Sequence, residues 1–308
     1  MSTKSRRFSR KQRKIIVVIF AIIIVILMSF TIHKSIQYDK GSSEYYGLSK
    51  QEEKSKNGIL VFCYHRILKD NFGVNVSRTL STNSQLHDFN VPANEFKDQM
   101  KFLHDHHIKV VSSAEMVKMT NSKKPIRGKY AVLTFDDIDR TTIDNAIPTM
   151  KKYKFPFTTF IITGNTGRYR EGTQLATWKQ IQGARQEAGN LMTVGLHTNN
   201  MHYLTSSLIP IFNLPHNYHR FTRDFAKSRV VLKKHTGIYG EEFAYPYGGG
   251  TDRISNFLRH QHLGWVGTLD SGVVYNHGNG KHSDLIYTPR MIINNNSWPS
   301  IHKWFTNK

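Results

Sequence analysis

The strongest constraint on this chain is a pattern that recurs from residue 59 onward. Short, apolar, β-prone runs alternate with longer stretches of helical periodicity. The runs cover residues 59–64, 130–135, 157–162, 191–196, 242–245 and 265–268, with Val110 and Val111 a weaker addition. Continuous apolar runs of this length suit strands buried on both faces. Helical patterning covers residues 93–107, 143–153, 222–235 and 254–262. Ser112 with Glu115, and Thr177 with Gln180, have the spacing of capping boxes. Strand–helix alternation implies an α/β fold with a largely parallel sheet, either a barrel or an open sheet.

Polar motifs sit directly after four of these runs. They are Tyr64-His65, Asp136-Asp137, His197 and Pro246-Tyr247-Gly248. A buried strand rarely ends in two carboxylates for packing reasons, because unpaired buried charge is costly. In barrels built from strand–helix units, the C-terminal strand ends form one rim, which carries the active site. Motifs distant in sequence then meet in space. Two carboxylates and two imidazoles at such ends suggest a metal site with a base beside it. His197 and His202 are five residues apart, so they are not the i, i+4 helical pair of H-E-x-x-H. They belong on a strand-end loop that curls back.

The N-terminus differs in character. Lys4, Arg6, Arg7, Arg10, Lys11, Arg13 and Lys14 precede an uncharged stretch over residues 15–32. As a helix that stretch is about 27 Å long, enough to span a bilayer core of about 30 Å. It is longer than the apolar region of a cleaved signal peptide, and no small-residue cleavage site follows. The expected organisation is a basic cytoplasmic tail (1–14), an uncleaved transmembrane signal anchor (15–32), an extracellular stalk (33–57) and a catalytic domain (58–308). Residues 69–90 lack periodicity and read as a long loop near the site. The single cysteine, Cys63, excludes an intrachain disulfide and reads as a core residue. The net charge of +21 favours anionic partners. Outside a cell these are anionic lipid headgroups and wall polymers. No nucleic-acid-binding signature accompanies the charge.

Thr134-Phe135-Asp136-Asp137, His197-Thr198 with His202, and Tyr245-Pro246-Tyr247-Gly248 resemble the motifs of the polysaccharide deacetylases, carbohydrate esterase family 4 with the NodB fold. Tyr64-His65-Arg66, the stretch from Phe135 to Thr141, the stretch from Phe160 to Gly164 and Tyr287-Thr288-Pro289-Arg290 resemble the biofilm branch of intercellular adhesin and poly-β-1,6-N-acetylglucosamine N-deacetylases. The resemblance spans residues 59–305. It implies a distorted (β/α)7 barrel and metal-dependent amide hydrolysis. Asp137, His197 and His202 match the metal ligands, for zinc first, with nickel, cobalt or iron as alternatives. Asp136 matches the general base, His65 the general acid, and Tyr247 the residue whose backbone N–H holds the oxyanion. Arg290 is the candidate to orient Asp136. Trp265 and Asp270 are candidates for the sugar groove.

The implied substrate is extracellular poly-N-acetylglucosamine, and an exopolysaccharide synthase complex is a candidate partner. The alternatives are a peptidoglycan N-acetylglucosamine deacetylase and an inactive polysaccharide-binding protein. Three positions depart from the family pattern. Ile138 stands where many relatives have Gly. Ala244 leaves the usual Arg of its motif absent. Asn199 and Asn200 leave the histidine loop without a carboxylate to orient a ligand.

Overall fold

The computed structural model describes residues 9–69, 89–170 and 173–307. The first element, α1 (Arg10–Tyr46), contains a segment, Arg10–Lys34, long and apolar enough to cross a membrane. Its apolar side chains, Ile15 through Ile32, are exposed rather than packed against the domain. The stretch expected to be a stalk therefore begins as helix. Its second half lies on the domain surface, because its polar groups satisfy those of the last helix. Leu48 N–H donates to Ser300 Oγ at 3.0 Å, Trp304 Nε1–H donates to Ser55 Oγ at 2.7 Å, and Lys303 pairs with Glu53 at 2.5 Å.

The domain alternates strands and helices in the expected order. They are β1 (Gly58–Tyr64), α2 (Ala93–Asp105), β2 (Lys109–Val110), α3 (Ser113–Thr120), β3 (Lys129–Phe135) and α4 (Ile147–Tyr153). There follow β4 (Phe157–Ile161), α5 (Trp178–Ala188), β5 (Met192–Leu196), α6 (Tyr218–Thr236), β6 (Glu242–Ala244), α7 (Asp252–Arg259) and β7 (Trp265–Gly267). Two elements without a sequence signal complete it, β8 (Met291–Ile292) and α8 (Trp298–Thr306). A two-residue strand carries too little periodicity to be read. Thr177 and Gln180 form the full capping box, while Ser112 caps α3 by accepting the Glu115 N–H. Residues 70–88, within the expected loop, lie outside the described residues. The residues flanking them pair as a short parallel ribbon, Arg66–Leu68 with Asn90–Pro92.

All pairings in the main sheet are parallel, in the order β7-β6-β5-β4-β3-β1-β8, with β2 beside the start of β3. The sheet curls until its edges approach. Thr268 N–H donates to Thr288 O at 2.9 Å and Thr288 N–H to Val266 O at 3.0 Å, so the segment leading into β8 joins β7. The result is the distorted (β/α)7 barrel.

Strand parity decides which side chains reach the barrel interior. Leu60, Phe62 and Tyr64 face the helices, with Leu133, Phe135, Leu196, Phe243 and Tyr245. Ile59 and Val61 face inward, with Val132, Phe160, Ala244 and Trp265. The same alternation turns Cys63, His65, Thr134, Asp136 and His197 inward, at the upper ends of their strands. Every β1 side chain is buried, which explains why these runs read as continuously apolar. Gly195 leaves the space that Phe160 fills, since a Cβ there would stand 2.6 Å from its ring.

Glu242 is an ionisable group buried on the barrel floor. Its Oε1 accepts from the Ser113 hydroxyl, and its Oε2 has no hydrogen-bond partner. Burial pushes its carboxyl above the ordinary value, against the Ser113 hydrogen bond. The neutral acid is therefore the favoured folded form. Wild-type stability declines as pH rises from the unfolded value, about 4.3, toward the folded one, because only the unfolded chain ionises freely. Glu242→Gln keeps the shape and removes the titration. Urea midpoints across pH 4–8 should fall less steeply for this variant than for the wild type.

Candidate active site

The strand ends deliver the chemistry to one pocket. His65, Arg66, Phe89, Asp136, Asp137, Asp139, Thr173, His197, His202, Tyr247 and Leu269 line it. Four residues that leave strands here adopt left-handed backbone: Asp137 (φ 65°), Ile138 (φ 51°), Thr198 (φ 67°) and Tyr247 (φ 59°). For non-glycine residues this costs on the order of 1–3 kcal/mol each and needs support from the surroundings. Ile138 obtains it from burial and from two backbone bonds, its N–H to Asp136 O at 2.7 Å and its carbonyl to the Ala176 N–H at 3.0 Å. The turn where relatives use glycine is thus made with a branched residue held on both sides.

Asp136 and Arg290 form a fully buried ion pair. Nη1 donates to Oδ1 at 2.7 Å and Nη2 to Oδ2 at 2.8 Å, with the side chains 1% and 0% exposed. Arg290 Nε donates to Thr268 O at 2.9 Å, and Nη1 also approaches Thr134 Oγ1 at 3.3 Å. The Cys63 thiol donates to Asp136 Oδ2 at 3.5 Å. Burial opposes ionisation of Asp136, but Arg290, His197 and His65 outweigh it and hold the carboxyl well below the usual range. Gly267 makes the room, since a Cβ there would stand 2.6 Å from Arg290 Nε.

Asp137 faces the other way. Its Oδ1 lies 3.4 Å from His197 Nε2 and 3.2 Å from His202 Nε2, and it is buried with no hydrogen-bond partner. His197 Nδ1 is committed to Ala244 O at 2.8 Å, which leaves Nε2 directed at Asp137. Burial pushes His197 down to about 4, so its ring is neutral at physiological pH. The three donor atoms lie within 4.8 Å of one another. Two donors each about 2.1 Å from one tetrahedral ion stand about 3.4 Å apart. A neutral imidazole pair and an unsatisfied carboxylate oxygen at these spacings fit a divalent cation.

His65 sits beside Asp136. Cys63, His65 and Asp136 each bring a polar atom within 4.8 Å of the others. Its Nδ1 is buried without a hydrogen-bond partner, and burial pushes the ring below its ordinary value. Burial therefore favours the neutral ring at His65. Tyr247 packs its ring on His202, with centroids 4.7 Å apart. Trp265, a candidate for the sugar groove, is fully buried against Phe160 in the barrel interior. Its parity turns it into the core. Asp270 contributes its carbonyl, which accepts the Arg290 N–H at 3.0 Å.

Two contributors carry no sequence motif. Cys63 looks like a core residue until parity points it at Asp136. Asp224, in the middle of α6, accepts the N–H groups of Asn199 and Asn200 at 2.7 and 2.8 Å.

A parallel barrel with a histidine–carboxylate cluster at the strand ends has the layout of a metal-assisted enzyme site, and comparison with known proteins specifies the class. The sequence profile described as polysaccharide deacetylase matches residues 123–263. The poly-β-1,6-N-acetyl-D-glucosamine N-deacetylase of Staphylococcus aureus (strain N315) is 27% identical over 300 residues, 95% of this chain and 97% of that protein. The protein of the same name from Staphylococcus epidermidis is 28% identical over 257 residues, 83% of this chain and 86% of that one. Among solved structures, IcaB from Ammonifex degensii superposes with a TM-score of 0.69 at 31% identity, covering 82% of this chain and 98% of that one. The chain belongs to the polysaccharide deacetylase family. It is a hydrolase of amide bonds, a polysaccharide N-deacetylase.

Because the folded-state value of Asp136 lies below its unfolded one, its ionisation contributes stability. That contribution is complete above the unfolded value of about 3.9 and is lost as pH falls through the folded value. Arg290→Met leaves the carboxylate buried and unpaired, at a cost of about 3–5 kcal/mol. Denaturant unfolding at pH 7 should show this loss. Asp136→Asn combined with Arg290→Met should recover part of it.

Proposed function

We propose that this chain removes acetyl groups from extracellular poly-β-1,6-N-acetylglucosamine, releasing acetate and leaving glucosamine units. The observation that carries the proposal is the paired arrangement at the strand ends. A three-donor cluster, Asp137, His197 and His202, lies beside a carboxylate, Asp136, that arginine holds ionised. The named activity of the staphylococcal relatives, which align over nearly the whole chain, supplies the substrate.

Asp137, His197 and His202 would hold a divalent ion, zinc first, with nickel, cobalt or iron as alternatives. The ion, when bound, would polarise the acetyl carbonyl and acidify a water. Asp136 is the acceptor for that water's proton, in a fixed orientation because both of its oxygens are held by Arg290. His65 delivers a proton to the departing sugar nitrogen. Since burial favours the neutral ring, His65 would take up this proton during the reaction. The backbone N–H of Tyr247, which lines the same pocket, is the proposed oxyanion donor. Amines exposed by the reaction are cationic and would bind the polymer to anionic cell surfaces.

Residues 15–32, within the apolar helical segment Arg10–Lys34, serve as an uncleaved single-pass anchor, with the basic tail 1–14 cytoplasmic and the catalytic domain outside. Anionic lipids or wall polymers are the expected partners of the remaining positive charge, and an exopolysaccharide synthase complex is the proposed protein partner.

Full-length protein in detergent, incubated with β-1,6-linked N-acetylglucosamine oligomers, should release free amine. A chelator should stop the release and added zinc restore it. Asp136→Asn should lower kcat by about 10²–10⁴-fold, as expected for loss of a general base. Amine release from peptidoglycan fragments alone would move the substrate to the cell wall. Binding of the oligomers without release would mark a polysaccharide-binding protein. In fractionated cells, deletion of residues 1–34 should move the protein out of the membrane fraction.

A further inference from the structure

The histidine loop raises a physical question. It must hold His197 and His202 with both Nε2 atoms on one carboxylate oxygen, yet it carries Asn199 and Asn200 and no acid of its own. Thr198 stands in left-handed backbone at φ 67°. A loop with such a residue relaxes unless its neighbours are held on both sides.

One side is held by the end of β4. Thr163 N–H donates to Thr198 O at 3.1 Å and Gly164 N–H to Asn199 O at 2.9 Å. Thr163 Oγ1 reaches Asn199 Oδ1 at 3.2 Å. A Cβ on Gly164 would stand 2.5 Å from Asn199 O, so this contact needs glycine. The other side is held by one residue. Asp224 Oδ2 accepts the Asn199 N–H at 2.7 Å and Oδ1 the Asn200 N–H at 2.8 Å. These two consecutive N–H groups lie between the two histidines. Asp224 is itself fixed, because Phe221 and Phe225 on the same helix pack on Phe243 of β6, with centroids 6.2 and 5.8 Å apart.

We infer that Asp224 is the positioning residue for the metal-binding histidines, its carboxylate clamping the loop so that His197 and His202 converge on Asp137. The inference rests on the metal-site reading given above. It assigns the missing loop carboxylate to α6, which reaches the loop backbone rather than an imidazole. Both oxygens are needed, since each takes one N–H. An amide has only one acceptor and would set its NH2 against the second donor. Residues that orient metal ligands typically change metal affinity by about 10–100-fold when altered.

The test measures zinc affinity of the full-length protein in detergent by competition with a chromophoric chelator. The visible spectrum of the cobalt(II)-loaded protein and the thermal midpoint of the metal-free protein are recorded alongside. Asp224→Asn should weaken zinc binding by about 10–100-fold and perturb the cobalt spectrum. Its kcat should recover in excess zinc, with KM for the oligomer unchanged. Asp224→Glu, which retains two acceptor oxygens, should fall between Asn and wild type, and it serves if the Asn variant does not fold. Wild-type zinc affinity and spectrum in both Asp224 variants, with binding abolished in Asp137→Asn, would overturn the inference and leave the metal site standing. A lowered thermal midpoint with unchanged zinc affinity would also overturn it, by reducing Asp224 to a structural role. Equal zinc binding by wild type and Asp137→Asn would remove the metal site, and this inference with it.

Discussion

The buried pair between Asp136 and Arg290 is the interaction on which the upper half of the barrel depends. A guanidinium with no solvent exposure inside a barrel is stable only if a carboxylate meets it in bidentate geometry and its remaining N–H groups are satisfied. Asp136 supplies the first, and Thr268 O and Thr134 Oγ1 each take one further N–H. Arg290 lies on the segment that closes the barrel between β7 and β1, and Asp136 at the end of β3. The pair therefore ties the closing segment to the sheet. A charge expensive to bury becomes the reason for a defined geometry at the strand ends.

That geometry separates two adjacent carboxylates into different electrostatic roles. Parity turns Asp136 inward onto Arg290, and the left-handed turn at Asp137 rotates the next carboxylate toward the histidines. One is paired with a permanent cation, and the other faces the imidazoles that a metal ion would join. Neutral His197, set in its tautomer by Ala244 O, is the form a cation needs. Packing and paired hydrogen bonds hold the left-handed backbone at Ile138 and Thr198 in these turns.

The barrel's attachments follow the same economy of polar groups. Residues 48–57 satisfy α8 through Ser55, Glu53 and Leu48, so the chain leaving α1 is already bound to the domain before β1 begins. Lys129 Nζ reaches Asn307 O at 2.6 Å at the far end of α8. The last helix is thus held at both ends by residues from the start of the barrel.

The apolar runs determined the strands, because burial on both faces leaves no other composition available, and the polar residues just beyond them determined where chemistry could sit. Asp136, Asp137, His65, His197, His202 and Tyr247 were all legible on that basis, as was the apolar N-terminal helix. The sequence also offered Arg290 as the partner of Asp136, but only the fold could bring together residues 154 positions apart and show both hydrogen bonds. The tertiary structure alone decided the rest. Cys63 and Trp265 are indistinguishable as apolar letters until strand parity places one beside Asp136 and the other in the core. Asp224 is an ordinary helix residue until α6 packs against the histidine loop. The neutral state of His65 depends on burial, which is a property of the closed barrel. Local pattern records what a segment can form. The pairing of charges, the direction of a side chain and the desolvation of a titratable group exist only when distant segments meet.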